Sequence, residues 1–377
     1  MSGHTSAVAT DGSDAGGDGG ELARAYDVAL LDLDGVVYTG ARAVPHAVEV
    51  LAEARERGMG LAFVTNNASR TPKAVAEHLV ELGVPAQPED VVTSAQAAAR
   101  VVAERVPAGA SVLVVGGEGL EVALRERGLR PVRSADSDSG SDAGSGSDSG
   151  SDSGSGSGSG GDGPAAVVQG FAADVGWAEL AEASYAVARG VFWVASNADL
   201  TIPTERGIAP GNGALVGVVR AATGVEPVVA GKPELPLHRE TILRTGARRP
   251  LVVGDRLDTD IEGAHNGGVD SLLVLTGVTT PGALLAAGAG RRPTFVAEDL
   301  RALLEPAVTA RRDGDAWVCG GWSARVVDGA LAVTGKGARI DGLRAACAAV
   351  WAEDAEAADG VDTDGVDTDG VVERLGW

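Results

Sequence analysis

Short apolar segments recur along this chain, and segments with helix-like spacing separate the early ones. Apolar runs bounded by glycine and polar residues are typical of strands buried on both faces. Strands that alternate with helices favour a parallel sheet, because each crossover needs room for a helix. The sequence therefore predicts an α/β fold. The predicted strands are Val28–Leu33, Gly60–Val64, Val112–Val115, Ala166–Val168, Val191–Ala195, Leu251–Val253 and Ser271–Leu275, and the predicted early helices are Ala47–Arg57 and Pro72–Leu82.

The first predicted strand ends in two acids, within the run Leu-Leu-Asp-Leu-Asp-Gly-Val-Val at residues 30–37. Charge is costly at the end of a buried strand unless a cation or a reaction stabilises it. Asp32 and Asp34 project to the same side, because side chains alternate along a strand. Ligands of open α/β sheets bind at the carboxyl ends of the strands. The pair therefore indicates a metal-assisted site.

Composition restricts the partners and the compartment. The formal net charge of −22 argues against a nucleic acid or an anionic membrane surface as a partner. No apolar run approaches the roughly 18 to 20 residues that cross a bilayer. Cys319 and Cys347 are too few and too far apart for a disulfide framework or a zinc site. We expect a cytoplasmic protein with free thiols and no membrane or nucleic-acid partner.

Spacing along the chain predicts its domains. Asp32 and Thr65 are 33 residues apart, which leaves room for one crossover helix, whereas Thr65 and Lys232 are 167 apart, enough for an inserted domain. Residues 134–163 are almost entirely Ser, Gly and Asp, a composition typical of a disordered loop. The predicted division is a disordered tail at 1–25, a parallel-sheet core at 26–95 and 229–304, an inserted α/β domain at 96–228, a small extension at 305–351 and an acidic tail at 352–377.

Three further polar motifs follow apolar runs. They are Thr65-Asn66-Asn67, Gly231-Lys232-Pro233 and the acid-rich segment from Gly254 to Asp260. Each has an ordinary structural explanation: a helix N-cap, a turn and a solvated loop. All of them in one chain, in this order and at strand ends, favour a shared functional site.

The four motifs together resemble those of the haloacid dehalogenase superfamily, and most closely its phosphatase branch, whose cap domain lies between the second and third motifs. That branch includes the nitrophenyl phosphatases and phosphoglycolate phosphatases. The resemblance covers roughly residues 26 to 300. It implies a Rossmann-like parallel-sheet core, an inserted α/β cap and hydrolysis of phosphate monoesters. Other branches of the superfamily fit the sequence less well. Dehalogenases have no leaving alkoxide to protonate and do not need the second acid, Asp34. Ion pumps need membrane spans, and phosphomutases carry their cap between the first two motifs, where this chain has room for one helix only.

The resemblance also implies roles for individual residues. Asp32 is the expected nucleophile, which forms a phosphoaspartate, and Asp34 the expected general acid and base. Thr65 and Asn66 would bind the phosphoryl oxygens, and Lys232 would offset the charge of phosphate and nucleophile. The expected cofactor is Mg²⁺, bound by Asp32, the backbone carbonyl of Asp34, and Asp255. Asp260 would orient the metal's ligands from outside.

Substrate specificity is expected to come from the cap. The candidates for substrate contact are Asn197 and Asp199, in the segment 196–199, and the segment 203–206, although turn chemistry also explains both. The glycines at 116–119 lack the full dinucleotide-binding spacing, and we interpret them as a tight strand-to-helix turn. We further expect a homodimer formed through the cap.

The C-terminal extension bears on two questions that the motifs leave open: which ester is the substrate, and whether the chain has a second function. Its segments Trp317–Trp322 and Ile340–Trp351 resemble the extension of actinobacterial members of the family, among them the glycerol 3-phosphate phosphatases, which makes glycerol 3-phosphate one candidate substrate. The alternative is a broad phosphatase of sugar phosphates, nucleotides or phosphoglycolate. From a different class, the extension could be a binding or regulatory module, such as an acetyltransferase-like fragment. Residues 313–351 predict two or three strands and one helix.

Overall fold

The computed structural model of this chain describes residues 20–134, 163–204, 206–356, 366, 368 and 370–377. Nearly all of the predicted disordered loop at 134–163, and most of the predicted N-terminal tail, lie outside the described residues. Within the described part, no helix combines the length and the apolar character that a membrane span requires. Strands and helices are numbered below in chain order.

The central sheet consists of six strands in the described structure: β1 (Val28–Leu31), β4 (Gly60–Thr65), β5 (Val91–Thr93), β13 (Pro250–Gly254), β14 (Asp270–Val274) and β15 (Phe295–Ala297). The sheet is parallel, and its strand order is β15-β14-β13-β1-β4-β5. β1 lies in its interior, with Val28 paired to Pro250 on one side and to Gly60 on the other. The predicted parallel sheet is thereby confirmed; β5 and β15 are additional strands of three residues each.

Both faces of β1 are buried, which explains its unbroken apolar sequence. Ala29 and Leu31 belong to one hydrophobic cluster, and Val28 and Leu30 to another. Two amphipathic helices pack against the first of these clusters, one through Val50 and Leu51 and the other through Val75 and Leu79, and their opposite faces are exposed. The helices near this sheet are α1 (Leu22–Ala25), α2 (Ala47–Glu56), α3 (Pro72–Glu81), α4 (Ser94–Ala103), α8 (Leu235–Thr245), α9 (Glu262–Gly267) and α10 (Pro281–Leu285), with a π-helical turn at Leu257–Ile261 and 3₁₀ turns at Pro88–Asp90, Ala289–Arg291 and Leu300–Leu303.

The inserted segment forms a second parallel sheet from β6 (Ser111–Val115), β7 (Arg130–Val132), β8 (Ala166–Gln169), β9 (Phe192–Ala195) and β12 (Val228–Val229), with the helices α5 (Glu118–Glu126), α6 (Trp177–Ala188) and α7 (Asn212–Thr223). The strand order of this sheet is β12-β9-β8-β6-β7. Its apolar residues Val114 and Val168 share one cluster with Leu30 and Val64 of the central sheet. The predicted domain boundary at 95 and 96 falls inside α4, so the domain limits stay a prediction.

Two short antiparallel hairpins project from the parallel sheets. One follows the paired acids and the other belongs to the inserted segment. They consist of β2 (Tyr38–Thr39) with β3 (Arg42–Ala43), and of β10 (Thr201–Thr204) with β11 (Gly207–Pro210).

The C-terminal extension is an antiparallel sheet covered by a long helix. Its strands are β16 (Arg311–Asp313), β17 (Ala316–Cys319), β18 (Trp322–Val327) and β19 (Ala330–Gly335), and its helix α11 (Arg339–Glu356) is followed by α12 (Val371–Arg374).

Two chain ends differ from the predicted tails. Leu22 and Ala23 are buried against the central sheet, and Val371 and Leu375 are buried in the cluster of the extension. Val371 and Leu375 are four residues apart, so one helical turn brings both onto the same face. Low-complexity neighbours conceal these short apolar anchors in the sequence.

Candidate active site

Three sequence-predicted residues lie at the carboxyl ends of adjacent strands. Asp32 follows β1, Thr65 ends β4, and Asp255 follows β13. Because β13, β1 and β4 are parallel neighbours, their carboxyl ends share one edge of the sheet. The site therefore lies where ligands of open α/β sheets bind.

Lys232 lies between two of the carboxylates. Its Nζ is 2.6 Å from Asp32 Oδ1 and 2.7 Å from Asp260 Oδ1, and it also donates to the Val64 carbonyl at 3.4 Å. The side chain is only 5% exposed. Burial alone would lower the pKa of the ammonium group, but Asp260 and Asp32 raise it overall. Lys232 is thus a fixed positive charge at the strand ends.

Asp32 lies among more negative than positive neighbours. Burial raises the pKa of its carboxyl group, as do Asp260 and Asp255, and Lys232 opposes the shift. The carboxylates of Asp32, Asp255 and Asp260 offer oxygens within 4.8 Å of one another. Another cation at this point would favour the ionised forms of Asp32 and Asp255.

Asp255 supplies the test of whether a metal fits. It is fully buried, and its Oδ2 accepts the Val278 N–H at 2.6 Å, whereas Oδ1 has no hydrogen-bond partner among the described residues. Burial raises the pKa of this carboxyl group to about 6. A buried carboxylate oxygen without a donor is costly unless a cation contacts it. Asp32 and Asp255 therefore fit a hard divalent cation.

Two glycines make room for the Asp255 carboxylate. A Cβ at Gly277 would lie 1.9 Å from Asp255 Oδ2, and one at Gly35 would lie 2.6 Å from the same oxygen. Gly35 also has a φ of +84°, which L side chains rarely adopt. The turn after the paired acids and the loop after β14 thus enclose the carboxylate.

Both carboxylate oxygens of Asp260 accept hydrogen bonds from other residues of the protein. Besides the Lys232 contact through Oδ1, its Oδ2 accepts the Arg256 N–H at 3.2 Å. A Cβ at Gly254 would lie 2.2 Å from the Asp260 Cβ, so the glycine allows this close approach. The arrangement agrees with a residue that holds Lys232 rather than one that binds a metal directly.

Asp34 is exposed, at the mouth of the site. Its backbone forms an isolated bridge with Tyr38. Burial by the surrounding chain raises the pKa of its carboxyl group, and the positive charges of Lys232 and Arg70 oppose the shift. A carboxyl group with a raised pKa binds a proton more readily than an ordinary aspartate, as a general acid must.

Thr65 and Asn66 follow each other but have different surroundings. The hydroxyl of Thr65 accepts the Asn67 N–H at 3.1 Å. Asn66 donates through Nδ2 to both carboxylate oxygens of Asp199, at 3.3 and 3.2 Å, and to the Lys232 carbonyl at 3.1 Å. Its Oδ1 accepts the Lys232 N–H at 2.8 Å. These contacts engage the amide that was predicted to bind phosphoryl oxygens.

The predicted substrate contacts from the inserted segment meet the same residue. Asn197 is 5% exposed and donates to the Asn66 carbonyl at 2.8 Å. Its Oδ1 accepts the Asp199 N–H at 3.2 Å. The other candidate segment lies at the hairpin of β10 and β11, where the Thr204 hydroxyl donates to the Gly207 carbonyl at 2.7 Å, and its Glu205 is outside the described residues.

The glycines at 116–119 form the predicted strand-to-helix turn. β6 ends at Val115 and α5 begins at Glu118. A Cβ at Gly119 would lie 2.5 Å from the Ala68 carbonyl oxygen and 2.6 Å from that of Arg70. The glycines therefore allow α5 to approach the loop after β4, which confirms the interpretation as a turn.

Sequence reasoning missed two contributions to the site. Arg256 lies beside the Asp255 carboxylate, binds both oxygens of Asp258 at 3.0 and 2.8 Å, and acts electrostatically on Asp199. Gly277 carries no motif that would have singled it out. Arg256 stands inside a recognised motif, so its charge was the signal available.

Comparisons with known proteins agree with this geometry. Residues 29–130 match the model of the haloacid dehalogenase-like hydrolases, and residues 229–303 match a HAD-hydrolase-like model. Residues 319–377 match a GCN5-related N-acetyltransferase-like domain, in the segment for which an acetyltransferase-like fragment was considered.

Two curated relatives and one solved structure are similar to this chain over two thirds of its length or more. The D-glycerol 3-phosphate phosphatase of Mycobacterium tuberculosis is 43% identical over 351 residues, which are 90% of this chain and 89% of that protein. The 5′-nucleotidase YutF of Bacillus subtilis is 37% identical over 258 residues, which are 68% of this chain and 90% of that protein. A crystal structure of glycerol phosphate phosphatase from M. tuberculosis in complex with magnesium has a TM-score of 0.76 and 42% identity, and the match covers 88% of this chain and 92% of that one. Together with the predicted motifs, these matches show that this chain is an enzyme of the haloacid dehalogenase-like hydrolase family.

Proposed function

We propose that this chain is a Mg²⁺-dependent phosphatase that hydrolyses small phosphate monoesters through a phosphoaspartate at Asp32. The observation that carries the proposal is the Lys232 ammonium, 2.6 Å from Asp32 Oδ1, beside the unpartnered Oδ1 of Asp255. A phosphate monoester is a dianion, so an anionic nucleophile can reach phosphorus only where positive charge is concentrated.

In the first half-reaction, a carboxylate oxygen of Asp32 forms a bond to phosphorus as the bond from phosphorus to the ester oxygen breaks. Asp34 gives its proton to the departing alkoxide. In the second half-reaction, Asp34 takes a proton from water, whose oxygen attacks phosphorus and releases Asp32. Exposure of Asp34 at the mouth and the raised pKa of its carboxyl group support this role.

The groups around the nucleophile neutralise charge, bind the phosphoryl oxygens and hold the metal. Lys232 neutralises charge on Asp32 and on the phosphoryl group, and Asp260 holds Lys232 from behind. We propose that Thr65 and the backbone at Asn66 bind phosphoryl oxygens. Asp32, Asp255 and the backbone carbonyl of Asp34 would hold Mg²⁺, which when bound supplies positive charge to the phosphoryl oxygens.

Glycerol 3-phosphate is the first substrate to test. The relative that is 43% identical over 90% of this chain is named for that substrate. The relative named a 5′-nucleotidase, at 37% identity, supports the broader alternative.

The deciding experiment is phosphate release from a panel of glycerol 3-phosphate, sugar phosphates, nucleotides and phosphoglycolate. Each ester is assayed with Mg²⁺ and with excess EDTA, on the wild-type protein and on Asp32→Asn. We expect Mg²⁺-dependent release that Asp32→Asn abolishes, with a preference for glycerol 3-phosphate. Release that persists in EDTA or in Asp32→Asn would contradict the mechanism, and an equal rate on all esters would favour the broad alternative.

We also propose a homodimer through the inserted segment, in the cytoplasm. Trp177, Leu200 and Ile208 of that segment are 77%, 69% and 74% exposed, and an interface would cover them. The free thiols of Cys319 and Cys347 agree with a reducing compartment. Light scattering on the wild-type protein and on Ile208→Asp tests the dimer, since a monomeric wild-type protein would contradict it.

A further inference from the structure

The Asn66 side chain forms hydrogen bonds to both backbone polar groups of Lys232. Its Oδ1 accepts the Lys232 N–H at 2.8 Å, and its Nδ2 donates to the Lys232 carbonyl at 3.1 Å. An asparagine amide has one accepting and one donating end, so it can satisfy both groups of one residue. The lysine side chain starts from the backbone that these two hydrogen bonds hold.

Asp199 determines which way round the Asn66 amide lies. Both of its carboxylate oxygens are within hydrogen-bond distance of Asn66 Nδ2, at 3.3 and 3.2 Å. An ionised carboxylate only accepts hydrogen bonds. A reversed amide would place an oxygen against Asp199 and the Lys232 carbonyl, and an NH₂ group against the Lys232 N–H. Only the observed orientation satisfies all of these groups.

The loop that carries Lys232 packs closely against Asn66 and the inserted segment at Gly231. A Cβ at Gly231 would lie 2.6 Å from Asn66 Oδ1 and 2.6 Å from the Ser196 carbonyl oxygen. Ser196 and Asp199 both come from the segment that follows β9, in the second sheet. The inserted segment is thus in direct contact with the loop that presents the lysine.

We propose that Asn66 and Asp199 are positioning residues for Lys232, and that the inserted segment acts on the reaction through this pair. The proposal rests on the proposed phosphatase activity. It gives Asp199 a role in orienting Asn66 in place of a contact with substrate. It also gives the Asn66 side chain a role in holding the lysine in place of a contact with phosphate.

An exchange of the two side chains tests the pair. In Asn66→Asp, a second carboxylate would face Asp199 and the Lys232 carbonyl, so Lys232 shifts. A displacement of this kind costs about a hundredfold in kcat. In the double variant with Asp199→Asn, the new amide at position 199 can donate to the new carboxylate at position 66. We expect the double variant to recover about tenfold or more of the kcat that Asn66→Asp loses, with KM changed less than about threefold throughout.

The matched control is Gln87→Glu, the same change from an amide to a carboxylate. Gln87 is exposed and lies outside the four motifs. We expect the wild-type kcat for this variant. Thermal unfolding of all variants is recorded in parallel, and the double variant should also recover part of the unfolding midpoint that Asn66→Asp loses.

The outcomes separate the two proposals. If the wild-type protein releases phosphate but the double variant is no better than the product of the single effects, the positioning proposal is overturned and the proposed function stands. A rise in KM without a loss of kcat would return these residues to substrate binding. If the wild-type protein releases no phosphate, the proposed function fails, and the unfolding midpoints alone decide whether Asn66 and Asp199 act as a pair.

Discussion

The Lys232 ammonium lies 2.6 Å from Asp32 Oδ1, in a position that is 5% exposed. A buried charge of this kind depends on its partners, and they depend on it. In Lys232→Met, Asp32 and Asp260 would face each other without the cation that separates them. We expect kcat to fall at least about a thousandfold, by analogy with the loss of a group that stabilises transition-state charge. We also expect the free energy of unfolding to fall by about 3 to 5 kcal/mol.

Steady-state kinetics and urea unfolding measure these two losses. The control is Lys73→Met. The Lys73 side chain is 75% exposed, and its ion pair with Glu77 is long, at 3.8 Å. It should change neither quantity appreciably. Wild-type turnover in Lys232→Met would show that the lysine does not serve the reaction.

The unpartnered oxygen of Asp255 predicts a metal-linked stability. We expect Mg²⁺ to raise the thermal unfolding midpoint of the wild-type protein, because a ligand that binds only the folded state stabilises it. In Asp255→Asn, the amide can keep its oxygen on the Val278 N–H, and its NH₂ group then takes the place of the unpartnered Oδ1. An NH₂ group cannot bind a cation, so the Mg²⁺-dependent rise should disappear.

Calorimetric scans with and without Mg²⁺ check this expectation. Asp315→Asn is the control, since Asp315 is 79% exposed and forms its ion pair in the described structure with Arg325. It should keep the wild-type response. An equal response to Mg²⁺ in Asp255→Asn would place the metal elsewhere.

A single added carbon should disturb the same carboxylate. In Gly277→Ala, the new Cβ would lie 1.9 Å from Asp255 Oδ2, so Asp255 or the loop must move. We expect overpacking to cost about 1 to 3 kcal/mol of stability. The misplaced carboxylate should also reduce kcat/KM by about a hundredfold.

Gly282→Ala is the control for this change, because a Cβ at Gly282 meets no atom within 4 Å. Phosphate release and thermal unfolding of both variants are compared with the wild-type protein. Should Gly277→Ala keep the wild-type kcat/KM, the enclosure of Asp255 would not matter for activity.

The sequence predicted the centre of the site because its signals are local. Asp32, Thr65 and Asp255 each follow an apolar run, and parallel pairing of those runs was enough to bring them together. The contact between Asn66 and Asp199 spans 133 residues and two sheets, and no local pattern encodes it. The strand Val91–Thr93 was missed for the opposite reason, since three residues are too few to show a period. Gly277 was missed because only the position of the Asp255 carboxylate gives it significance.

The C-terminal extension is predicted to stabilise the rest of the enzyme. Leu343 of α11 is fully buried, in one cluster with Ile261 and Leu273 of the core part. Arg344 also donates to the Val296 carbonyl, at 2.9 and 2.7 Å. Leu343→Ala should lower the free energy of unfolding by about 2 to 5 kcal/mol. The control Val327→Ala, at a residue that is 43% exposed, should lower the free energy of unfolding by less than about 1 kcal/mol.

Urea unfolding monitored separately by tryptophan fluorescence and by loss of activity measures this stabilisation. We expect both signals to shift together in Leu343→Ala, because the cluster joins the extension to the core. A shift confined to fluorescence would show that the extension unfolds on its own and contributes nothing to the core.

Glu240 is predicted to make stability depend on pH. Its side chain is fully buried and contacts three guanidinium groups, those of Arg100, Arg127 and Arg244. Burial alone would raise the pKa of this carboxyl group, but the three arginines lower it below its ordinary value of 4.5. The stabilisation is therefore complete above pH 4.5 and is lost as the pH falls through the folded-state pKa. Because α8 carries Glu240 and α4 carries Arg100, the cluster ties together two helices that lie between the parallel sheets.

Glu240→Gln removes the charge and leaves three buried guanidinium groups close together. We expect it to lower the free energy of unfolding by about 3 kcal/mol at pH 7, as for a broken buried ion pair. The difference from the wild-type protein should shrink as the pH falls below 4.5, since the glutamate of the unfolded state then takes up a proton while folded Glu240 stays ionised, which stabilises the unfolded state. Urea unfolding at pH 7, 5 and 4 measures it. Glu104→Gln, at a residue that is 44% exposed and paired only with Arg239 among the described ion pairs, should cost less than about 1 kcal/mol at each pH. A difference between Glu240→Gln and the wild-type protein that stays constant down to pH 4 would show that the charge of Glu240 does not stabilise the fold.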